Sequence, residues 1–419
     1  MHAGSSQKMA TLQLTDLQQQ SITLAKQGFS FFLSGAAGTG KSYIINYIRN
    51  NCRNVEVTAS TGIAAENIGG ITLHSFAGVG LAKERIEKLI KKVKSNFKST
   101  SRWLMTEVLI IDEISMISAE LLDIIDTVGK AVRNCDKPFG GIQVIVVGDF
   151  YQLPPVEGDF AFEADIWPQI VGTRVVILDQ VFRQSDPVFL KALHEIRIGQ
   201  LTDESFKYIT ENSNSIEETN GILPTILFSK NTEVDEINEK RLAELPGTET
   251  VYKAFDSINP KFARSVINFP VSDILSLKPG AQVILLKNTT DYKNGTRGVV
   301  VKCDDETAHV QTLNGVFQIQ PENFDVYLGR KKIATRRMMP IKLAWAMTIH
   351  RSQGLTIDLL QIDLGSVFSP AQTYTALSRA RTVQGLKVNG LSQRVVYCDE
   401  KVRDYYESLL SKSSNSSGL

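Results

Sequence analysis

The sequence FSFFLSGAAGTGKSY occupies residues 29–43, and its glycine-rich part comprises Gly35, Ala36, Ala37, Gly38, Thr39, Gly40, Lys41 and Ser42. This part matches G-x-x-x-x-G-K-[ST], and it follows an apolar run, residues 31–33, that predicts a short buried strand. Glycines let backbone N–H groups converge on a phosphate at a helix start, where the helix dipole favours negative charge. The pattern therefore predicts a triphosphate site in which Lys41 reaches the β- and γ-phosphates and Ser42 holds Mg²⁺. The alternative is a glycine-rich turn before an ordinary helix.

Length and composition bound the fold and the compartment. At 419 residues with 42% hydrophobic content, the chain exceeds what one core supports, so we expect two or more domains. No apolar run reaches the roughly 18 residues of a membrane span, and the N-terminus lacks the order of a signal peptide. We therefore expect no membrane partner and an intracellular location, either cytoplasmic or, in a eukaryote, nuclear or mitochondrial. The 4 cysteines lack C-x-x-C spacing, which argues against a zinc ribbon or a disulfide framework.

The net charge of +1 hides strong local charge. From Lys83 to Arg102, eight basic residues stand against two acidic ones, whereas residues 203–236 carry eight acids and two lysines. Such separation suits a protein that holds a polyanion on one face, although a solvated surface is the simpler alternative. The apolar residues of the basic stretch recur at helical spacing and predict an amphipathic helix with a cationic outer face. They are Ile86, Leu89, Ile90, Val93 and Phe97.

Two carboxylates end another apolar strand, residues 108–111. A strand buried on both faces places its C-terminal residues at the ligand-binding edge of an open α/β sheet, so Asp112 can hold Mg²⁺ through water. Glu113 can polarise the attacking water. The alternative is an acidic pair at the end of an ordinary strand. A third apolar strand, residues 144–147, leads to Gln152 and two prolines that fix a rigid loop, which places Gln152 to sense a γ-phosphate.

Two further stretches carry distinctive patterns: KPFGGIQ at residues 137–143 and GDFYQLPPV at residues 148–156. With the phosphate loop and the acidic pair, they resemble the Pif family of DNA helicases, in the RecD-like branch of helicase superfamily one. Residues 181–184 (VFRQ) are similar to the family's arginine-finger motif, residues 343–356 (LAWAMTIHRSQGLT) to a DNA-contacting motif, and residues 376–381 (ALSRAR) to a motif that supplies a second arginine. The resemblance covers nearly the whole chain, and residues 120–133 fall where the family carries its signature helix. Departures are small, with Ala36 where Ser is common and Arg351 where Lys is common.

The motifs and the resemblance together assign roles to individual residues. The catalytic set is Lys41, Asp112, Glu113, Gln152, Arg183 and Arg379, with Ser42 and Asp112 at the metal. Nucleotide contacts beyond the phosphate loop are expected from Gln18, Gly354 and Arg381. Contacts with a nucleic-acid strand are expected from Thr61, Gly62, His74, Ser75, Phe76, His350, Arg351, Ser352 and Gln353. Such side chains stack on bases and bind phosphates without reading sequence, although a lone His74 is more often a core residue. The two arginines can cross an interdomain cleft and neutralise charge growing on the γ-phosphate.

We predict an α/β fold of two RecA-like parallel-sheet domains in tandem. The first takes residues 13–173, with a small helical insertion at about 75–102. The second takes residues 174–254 and 339–410, with strands at 175–178, 223–228 and 359–362. A small β-barrel at residues 255–338 is inserted into the second domain, because short alternating strands lie between turn signals there; an ordinary β-extension is the alternative. Residues 1–12 and 411–419 are expected to be disordered.

The resemblance implies an ATP- and Mg²⁺-dependent DNA helicase that moves 5′ to 3′ along single-stranded DNA. Expected partners are single-stranded DNA and junctions of single- and double-stranded DNA, with quadruplex DNA as a further candidate, and the chain is expected to be a monomer. Its duties would lie in replication, repair, recombination or telomere maintenance. Two alternatives stay open. One is an RNA helicase, since no residue pattern here reads a 2′-hydroxyl; the other is a nucleotide switch whose arginine finger comes from a partner.

Overall fold

The computed structural model describes residues 14–213, 221–229, 231–260, 269, 271–287, 289, 291–292, 295–328, 331–367 and 369–416. The segment 1–12, expected to be disordered, lies outside these ranges. Within them, no helix combines the length and the apolar character needed to cross a lipid bilayer.

Helices and strands alternate in the first part of the chain, and strands dominate later. The helices are α1 (Asp16–Lys26), α2 (Lys41–Asn51), α3 (Gly62–Asn67), α4 (Leu73–Ala77), α5 (Ile86–Ser95), α6 (Phe97–Met105), α7 (Ala119–Arg133), α8 (Trp167–Ile170), α9 (Pro187–Arg197), α10 (Asp203–Asn212), α11 (Asn231–Glu244), α12 (Ile349–Ser352), α13 (Gln372–Leu377) and α14 (Glu400–Ser416). The strands are β1 (Phe31–Gly35), β2 (Val55–Ala59), β3 (Ile71–Thr72), β4 (Val108–Asp112), β5 (Gln143–Gly148), β6 (Val175–Leu178), β7 (Thr225–Phe228), β8 (Thr250–Lys253), β9 (Phe255–Ile258), β10 (Ile274–Leu277), β11 (Gln282–Leu285), β12 (Arg297–Cys303), β13 (Ala308–Thr312), β14 (Gly315–Ile319), β15 (Glu322–Leu328), β16 (Lys331–Met338), β17 (Ile341–Leu343), β18 (Ala346–Thr348), β19 (Leu360–Asp363) and β20 (Leu386–Asn389).

The first domain is built on a six-stranded parallel sheet with the order β3-β2-β4-β5-β1-β6. Strands β4, β5 and β1 are neighbours and are buried along nearly their whole length. Their carboxyl ends therefore meet at one edge, where the phosphate loop, Asp112 and Gln152 follow them. The predicted strand 175–178 is β6, which pairs with β1 through Phe32 and Val175. Its assignment to the second domain is wrong, because a short apolar run suits either sheet and only the pairing decides.

The segment predicted as an insertion in the first domain contains the two helices α5 and α6. Helix α5 buries Leu89 and Val93 and ends at Ser95. The side chain of Asn96 then accepts hydrogen bonds from the backbone N–H groups of Lys98 and Ser99 and caps α6. Phe97, predicted on the buried stripe of one longer helix, is 84% exposed because the chain turns at Asn96.

The second domain has a four-stranded parallel sheet with the order β18-β7-β19-β20. Helices α9 and α13 contribute Phe189, Ile196 and Leu377 to its core. The prediction of a second parallel α/β domain is therefore confirmed, although its core begins with α9 and not at residue 174.

Strands β8 to β17 form an all-β region, which we call the inserted β unit (residues 250–343). They are divided among antiparallel sheets of five, three and two strands that share one apolar core. The unit extends beyond the predicted 255–338, because β8 pairs with β10 and β17 pairs with β11. Arg297 of β12 ties it to the second domain. Its guanidinium donates to the carbonyls of Leu223, Ala344 and Leu359, which precede β7, β18 and β19.

Helix α14 leaves the second domain and packs on the first. Val402 and Tyr406 join the core of the first domain, and the ring of Tyr405 stacks on Phe162 with centroids 4.4 Å apart. The helix continues to Ser416, so the expected disorder is corrected for residues 411–416, and residues 417–419 lie outside the described ranges. The polar sequence from 411 to 416 extends an existing helix, which costs less than starting a new one.

Candidate nucleotide and strand-binding sites

The phosphate loop is closely packed by two of the residues predicted to contact nucleotide. Gly38 has φ +81°, and a Cβ there would lie 2.5 Å from the Cβ of Arg183. Gly40 has φ +89°, and a Cβ there would lie 2.9 Å from Nε2 of Gln18. Because Oε1 of Gln18 accepts the Thr15 N–H at the start of α1, the amino group of this carboxamide faces the loop. Only glycine suits either position.

Lys41 begins α2 and turns its ammonium group back onto the loop. Nζ donates to Gly35 O at 2.7 Å and to Ala36 O at 3.0 Å. Burial lowers the pKa of Lys41, while nearby carboxylates such as Asp149 oppose the shift. A partly desolvated cation next to the N-terminus of a helix is a strong site for a phosphate anion.

Asp112 is the last residue of β4, and Glu113 follows it. Burial, with the charge of Glu113 as the second cause, raises the pKa of Asp112 to about 7. The Oδ1 atom of Asp112 accepts the Glu113 N–H at 2.9 Å. Glu113 has left-handed φ and ψ of 52° and 47°, a conformation that is uncommon for non-glycine residues and recurs at active sites. The local backbone is therefore constrained at the position where a catalytic carboxylate was predicted.

These residues suit a nucleoside triphosphate with Mg²⁺. The ion prefers oxygen ligands and usually takes one or two protein oxygens together with phosphates and water. Ser42 and Asp112 line the same cleft and supply a hydroxyl and a carboxylate. In the part of the chain that the structure describes, no group of three or more His, Cys, Asp or Glu side chains could hold a metal. The donor set fits an ion that shares its coordination with a nucleotide.

Arg183 lies at the junction of the two domains. Residues 181–184 pass between the phosphate loop and the end of α13: the Phe182 N–H donates to Gly38 O at 2.8 Å, and Arg183 Nη1 donates to Ser378 O at 2.9 Å. Burial lowers the pKa of Arg183 to about 9. The predicted arginine finger is thus anchored on the second domain and lies directly against the loop of the first.

Arg379 contacts the residue predicted to sense the γ-phosphate. It is 1% exposed, and its Nη2 lies 3.4 Å from Oε1 of Gln152. Its Nε donates to Thr375 O at 2.9 Å, which fixes the guanidinium on α13. The structure therefore brings together side chains that are 227 positions apart in sequence.

A buried ion pair behind Gln152 was not predicted from the sequence. Asp149 is fully buried and accepts from Arg197 Nη2 at 2.7 Å and from Arg197 Nε at 3.0 Å. Burial alone would raise the pKa of Asp149, but Arg197 holds it below its usual range. Asp149 follows a buried strand just as Asp112 does, so the same rule could have found it. Arg197 lies on an ordinary amphipathic helix and carries no local signal.

Two tyrosines from the C-terminal part of the chain also reach the nucleotide side. The hydroxyl of Tyr374 accepts the Ala37 N–H in the phosphate loop at 3.0 Å. The hydroxyl of Tyr406 lies 2.7 Å from Ser34 Oγ and accepts the Phe150 N–H at 3.2 Å. Their partners lie hundreds of positions away, so no local pattern marks either tyrosine.

Most of the residues predicted to contact a nucleic-acid strand are accessible. Gly62 and Ser75 are exposed, and Thr61, His74, His350 and Arg351 are partly exposed. Burial lowers the pKa of His74 and of His350. Burial thus favours the neutral imidazoles, which can stack or donate a hydrogen bond.

Three of the residues predicted to contact a nucleic-acid strand are buried instead. Phe76 is 0% exposed and packs on Trp103, with ring centroids 4.9 Å apart. Ser352 is buried, and its hydroxyl donates to Ile349 O at 2.7 Å. Gln353 is 5% exposed and faces the nucleotide cleft. We therefore correct the assignment of Phe76 from base stacking to core packing, and that of Ser352 to local support of its helix.

Helix α4 is supported by α6. Arg102, which we counted among the surface cations, is buried and donates to the carbonyls of Ser75 and Phe76. Trp103 Nε1 donates to Ala77 O at 3.2 Å. These bonds satisfy the carbonyl end of α4, so Arg102 orients the predicted strand-contacting segment and is not itself a surface cation.

A cleft of about 870 Å³ joins the two domains, within the roughly 300–1,000 Å³ typical of small-ligand sites. Asp112 and Glu113 line it from the first domain, and Gly354 and Arg381 line it from the second. Arg381 pairs with Asp358 at 2.5 Å. Residues predicted at the nucleotide site in both domains, Ser42, Asp112 and Glu113 in the first and Gly354 and Arg381 in the second, thus face one cleft.

Comparisons with known proteins agree with this arrangement. Residues 13–205 match the family model described as PIF1-like helicase. The chain is 40% identical over 412 residues to the human ATP-dependent DNA helicase PIF1, covering 95% of this chain and 64% of that protein. It therefore spans slightly less than two thirds of that relative's length.

Two solved structures extend the likeness over nearly the whole chain. The Pif1 helicase from Candida albicans is 36% identical with a TM-score of 0.82, covering 95% of this chain and 100% of that chain. The Pif1 helicase from Bacteroides in complex with ADP-AlF3 and ssDNA is 30% identical with a TM-score of 0.72, covering 96% and 98%. The predicted resemblance is confirmed, and the chain belongs to the PIF1-like helicase family.

Proposed function

We propose that this chain is an ATP-dependent DNA helicase that uses Mg²⁺ and moves 5′ to 3′ along single-stranded DNA. The human relative is named an ATP-dependent DNA helicase, and the Bacteroides relative was solved with ADP-AlF3 and ssDNA, which supports the proposal. Its substrates would be junctions of single- and double-stranded DNA and, as a further candidate, quadruplex DNA. It would act as a monomer, in replication, repair, recombination or telomere maintenance.

The contact of Arg379 with Gln152 carries the proposal. Gln152 follows β5 of the first domain, and Arg379 follows α13 of the second. Negative charge that develops or departs between these side chains would change the contact between the two domains. Such a change is how a nucleotide cycle drives domain closure. Because Arg183 and Arg379 both come from this chain, it needs no arginine finger from a partner.

The residues predicted at the nucleotide site have distinct chemical tasks in this reaction. Lys41 and the loop N–H groups bind the β- and γ-phosphates, and Glu113 orients the attacking water and accepts its proton. Arg183 and Arg379 neutralise charge that develops on the γ-phosphate. Mg²⁺, bound by Ser42 and Asp112, supplies further charge neutralisation when present.

Strand displacement on matched duplexes with either a 5′ or a 3′ single-stranded overhang tests the function. We expect displacement that needs ATP and Mg²⁺ and occurs with the 5′ overhang, and none with the Lys41→Ala variant. Displacement from the 3′ overhang alone would contradict the direction. Stimulated ATP hydrolysis without displacement from either duplex would contradict helicase activity. Matched RNA and quadruplex substrates in the same assay distinguish the polymer classes.

A further inference from the structure

Gln353 connects the predicted strand-contacting helix α12 to Glu113. Thr348 precedes helix α12 and its hydroxyl accepts the Arg351 N–H at 3.2 Å, while Gln353 follows the helix and its N–H donates to His350 O at 3.3 Å. The side-chain Nε2 of Gln353 donates to Glu113 Oε2 at 2.8 Å. This hydrogen bond crosses from the second domain to the first, between residues 240 positions apart.

The other end of the Gln353 carboxamide lacks a partner. Its Oε1 is buried and has no hydrogen-bond donor among the residues that the structure describes. An unsatisfied buried carbonyl is costly in a native protein and needs a reason. Rotating the amide by half a turn would place this oxygen against the carboxylate of Glu113, where two acceptors repel. The contact with Glu113 therefore fixes the amide orientation, and the cost of that orientation indicates a functional role.

The backbone of Glu113 is fixed, whereas the position of its carboxylate depends on the second domain. The left-handed turn at Glu113 and the hydrogen bond from its N–H to Asp112 Oδ1 hold the backbone at the end of β4. Across the described ranges, Gln353 is the side chain that donates a hydrogen bond to the carboxylate. The direction in which the carboxylate points therefore changes when Gln353 moves.

Helix α12 is a single turn held by hydrogen bonds at both ends. The hydroxyl of Thr348 caps its start, and the hydroxyl of Ser352 donates to Ile349 O, with both side chains buried. His350 and Arg351 belong to the same turn and are partly exposed. A nucleic-acid strand that displaces His350 or Arg351 on binding would displace Gln353 with them.

We propose that Gln353 is a positioning residue that transmits strand binding at α12 to the carboxylate of Glu113. The inference rests on the proposed function, in which Glu113 accepts the proton of the attacking water. Gln353 acts through Glu113 and not through the nucleotide or the strand. Its effect therefore belongs to the turnover rate with strand bound, and not to the affinity for either ligand.

Steady-state ATP hydrolysis by the full chain with Gln353→Met, with and without saturating oligothymidine, tests this role. Methionine keeps the length and volume of the side chain but donates no hydrogen bond. We expect the stimulation of kcat by the oligonucleotide to fall roughly ten- to a hundredfold, as when a catalytic group is misplaced. The KM for ATP and the Kd for oligothymidine, measured by fluorescence anisotropy, should stay within about twofold of the parent.

Gln282→Met is the matched control. Gln282 is 2% exposed, its Nε2 donates to Gly221 O at 2.8 Å and its Oε1 accepts the Leu223 N–H at 3.1 Å, so the substitution removes an amide with two partners from a buried site in the inserted β unit. Any general loss of stability in the second half of the chain should appear in both variants. The stimulation ratio should fall in Gln353→Met alone.

The outcomes separate the inference from the function on which it rests. A parental chain that hydrolyses no ATP, or that oligothymidine does not stimulate, contradicts the proposed function. With a stimulated parent, Gln353→Met overturns the inference if it keeps the parental stimulation, or if it loses unstimulated and stimulated rates equally. If Gln353→Met melts at a lower temperature than the parent, the Gln353→Glu variant tests the inference in its place. Its carboxylate repels that of Glu113, so stimulation should again be lost, and parental stimulation would overturn the inference.

Discussion

The nucleotide cleft and the basic helix α5 hold their charges in opposite ways. Behind the cleft, next to Gln152, Asp149 is fully buried and bound by Arg197 at 2.7 Å. On α5, Lys88 and Lys92 are exposed and share Glu84 at 3.5 and 3.1 Å. A buried charge that loses its partner is costly, whereas exposed pairs are weakened by water and salt. Single substitutions should therefore have large, specific effects in the cleft and small, graded effects on α5.

The largest effect is expected from Lys41→Ala. ATP hydrolysis should fall by more than roughly a thousandfold, because the cation that faces the phosphates is lost. The substitution removes no apolar core volume, so the melting temperature should change by less than about 4 °C. Steady-state hydrolysis with single-stranded DNA measures the effect. Lys26→Ala, at an exposed lysine of α1, is the control. DNA-stimulated hydrolysis that survives in Lys41→Ala would refute the phosphate-loop assignment.

Arg379→Ala should lower turnover much more than it weakens ATP binding. An arginine that contacts the γ-phosphate region contributes roughly 10³-fold or more to the rate, whereas the Kd for ATP should rise by about threefold or less. Single-turnover hydrolysis and binding of a fluorescent ATP analogue separate the two quantities. Arg379→Lys keeps the charge and loses the planar fork, so it should recover only part of the rate. Equal losses in binding and catalysis would exclude the finger role.

Arg197→Met should reduce the free energy of unfolding by about 3–5 kcal/mol, because it leaves Asp149 buried without its cation. Chemical denaturation measures the loss. The parental pKa of Asp149 is held below its usual range, so its contribution is complete above the unfolded pKa of about 4 and is lost as pH falls through the folded pKa. In Arg197→Met, burial raises the pKa of Asp149. The difference in free energy of unfolding between the parent and this variant should therefore narrow as pH falls towards about 4.

The double variant Asp149→Asn, Arg197→Met is the control for this ion pair. It removes both charges and should recover part of the stability that Arg197→Met loses. A loss of less than about 1 kcal/mol in Arg197→Met would mean that water or another cation compensates Asp149. The charge of Asp149 would then behave like the exposed charges of α5.

The nucleotide side of the site could be predicted from the sequence because its signals are local. The phosphate loop, Asp112 and Gln152 each follow a buried parallel strand, and such strand ends meet at one edge of a sheet. The same rule applies to Asp149, whose partner Arg197 it cannot reveal. The two parallel sheets also follow from alternating apolar strands and helices, but the placement of β6 in the first sheet follows only from its pairing with β1.

The residues proposed to contact a nucleic-acid strand were predicted less well, because the exposure of their side chains depends on tertiary contacts. Phe76 is buried by Trp103 of α6, and α6 exists as a separate helix because Asn96 caps it. Gln353 belongs to a strand-contacting motif by sequence, yet its side chain crosses the cleft to Glu113. A motif shows which residues are close in the chain, but it does not show which way a single helical turn faces.

The smallest effect is expected on α5, which we predict to attract the phosphates of single-stranded DNA without reading sequence. Lys88, Lys91, Lys92 and Lys94 are exposed along this helix. Each lost phosphate contact should reduce the log–log salt dependence of binding by about 0.7, because fewer counterions are released. Replacing all four with Gln should therefore flatten the dependence measurably. Binding to oligothymidine over a series of salt concentrations provides the slope.

Two double variants sharpen this prediction. Lys88 and Lys92 already share Glu84, so part of their charge is neutralised before a strand binds. Lys91→Gln with Lys94→Gln should consequently flatten the slope more than Lys88→Gln with Lys92→Gln, although both remove the same formal charge. A quadruple variant with an unchanged slope and the parental unwinding rate would make α5 a solvated surface only. The cationic contacts of the strand would then have to come from partly exposed residues such as Arg351, and the contrast between a specific cleft and a diffuse basic helix would no longer hold.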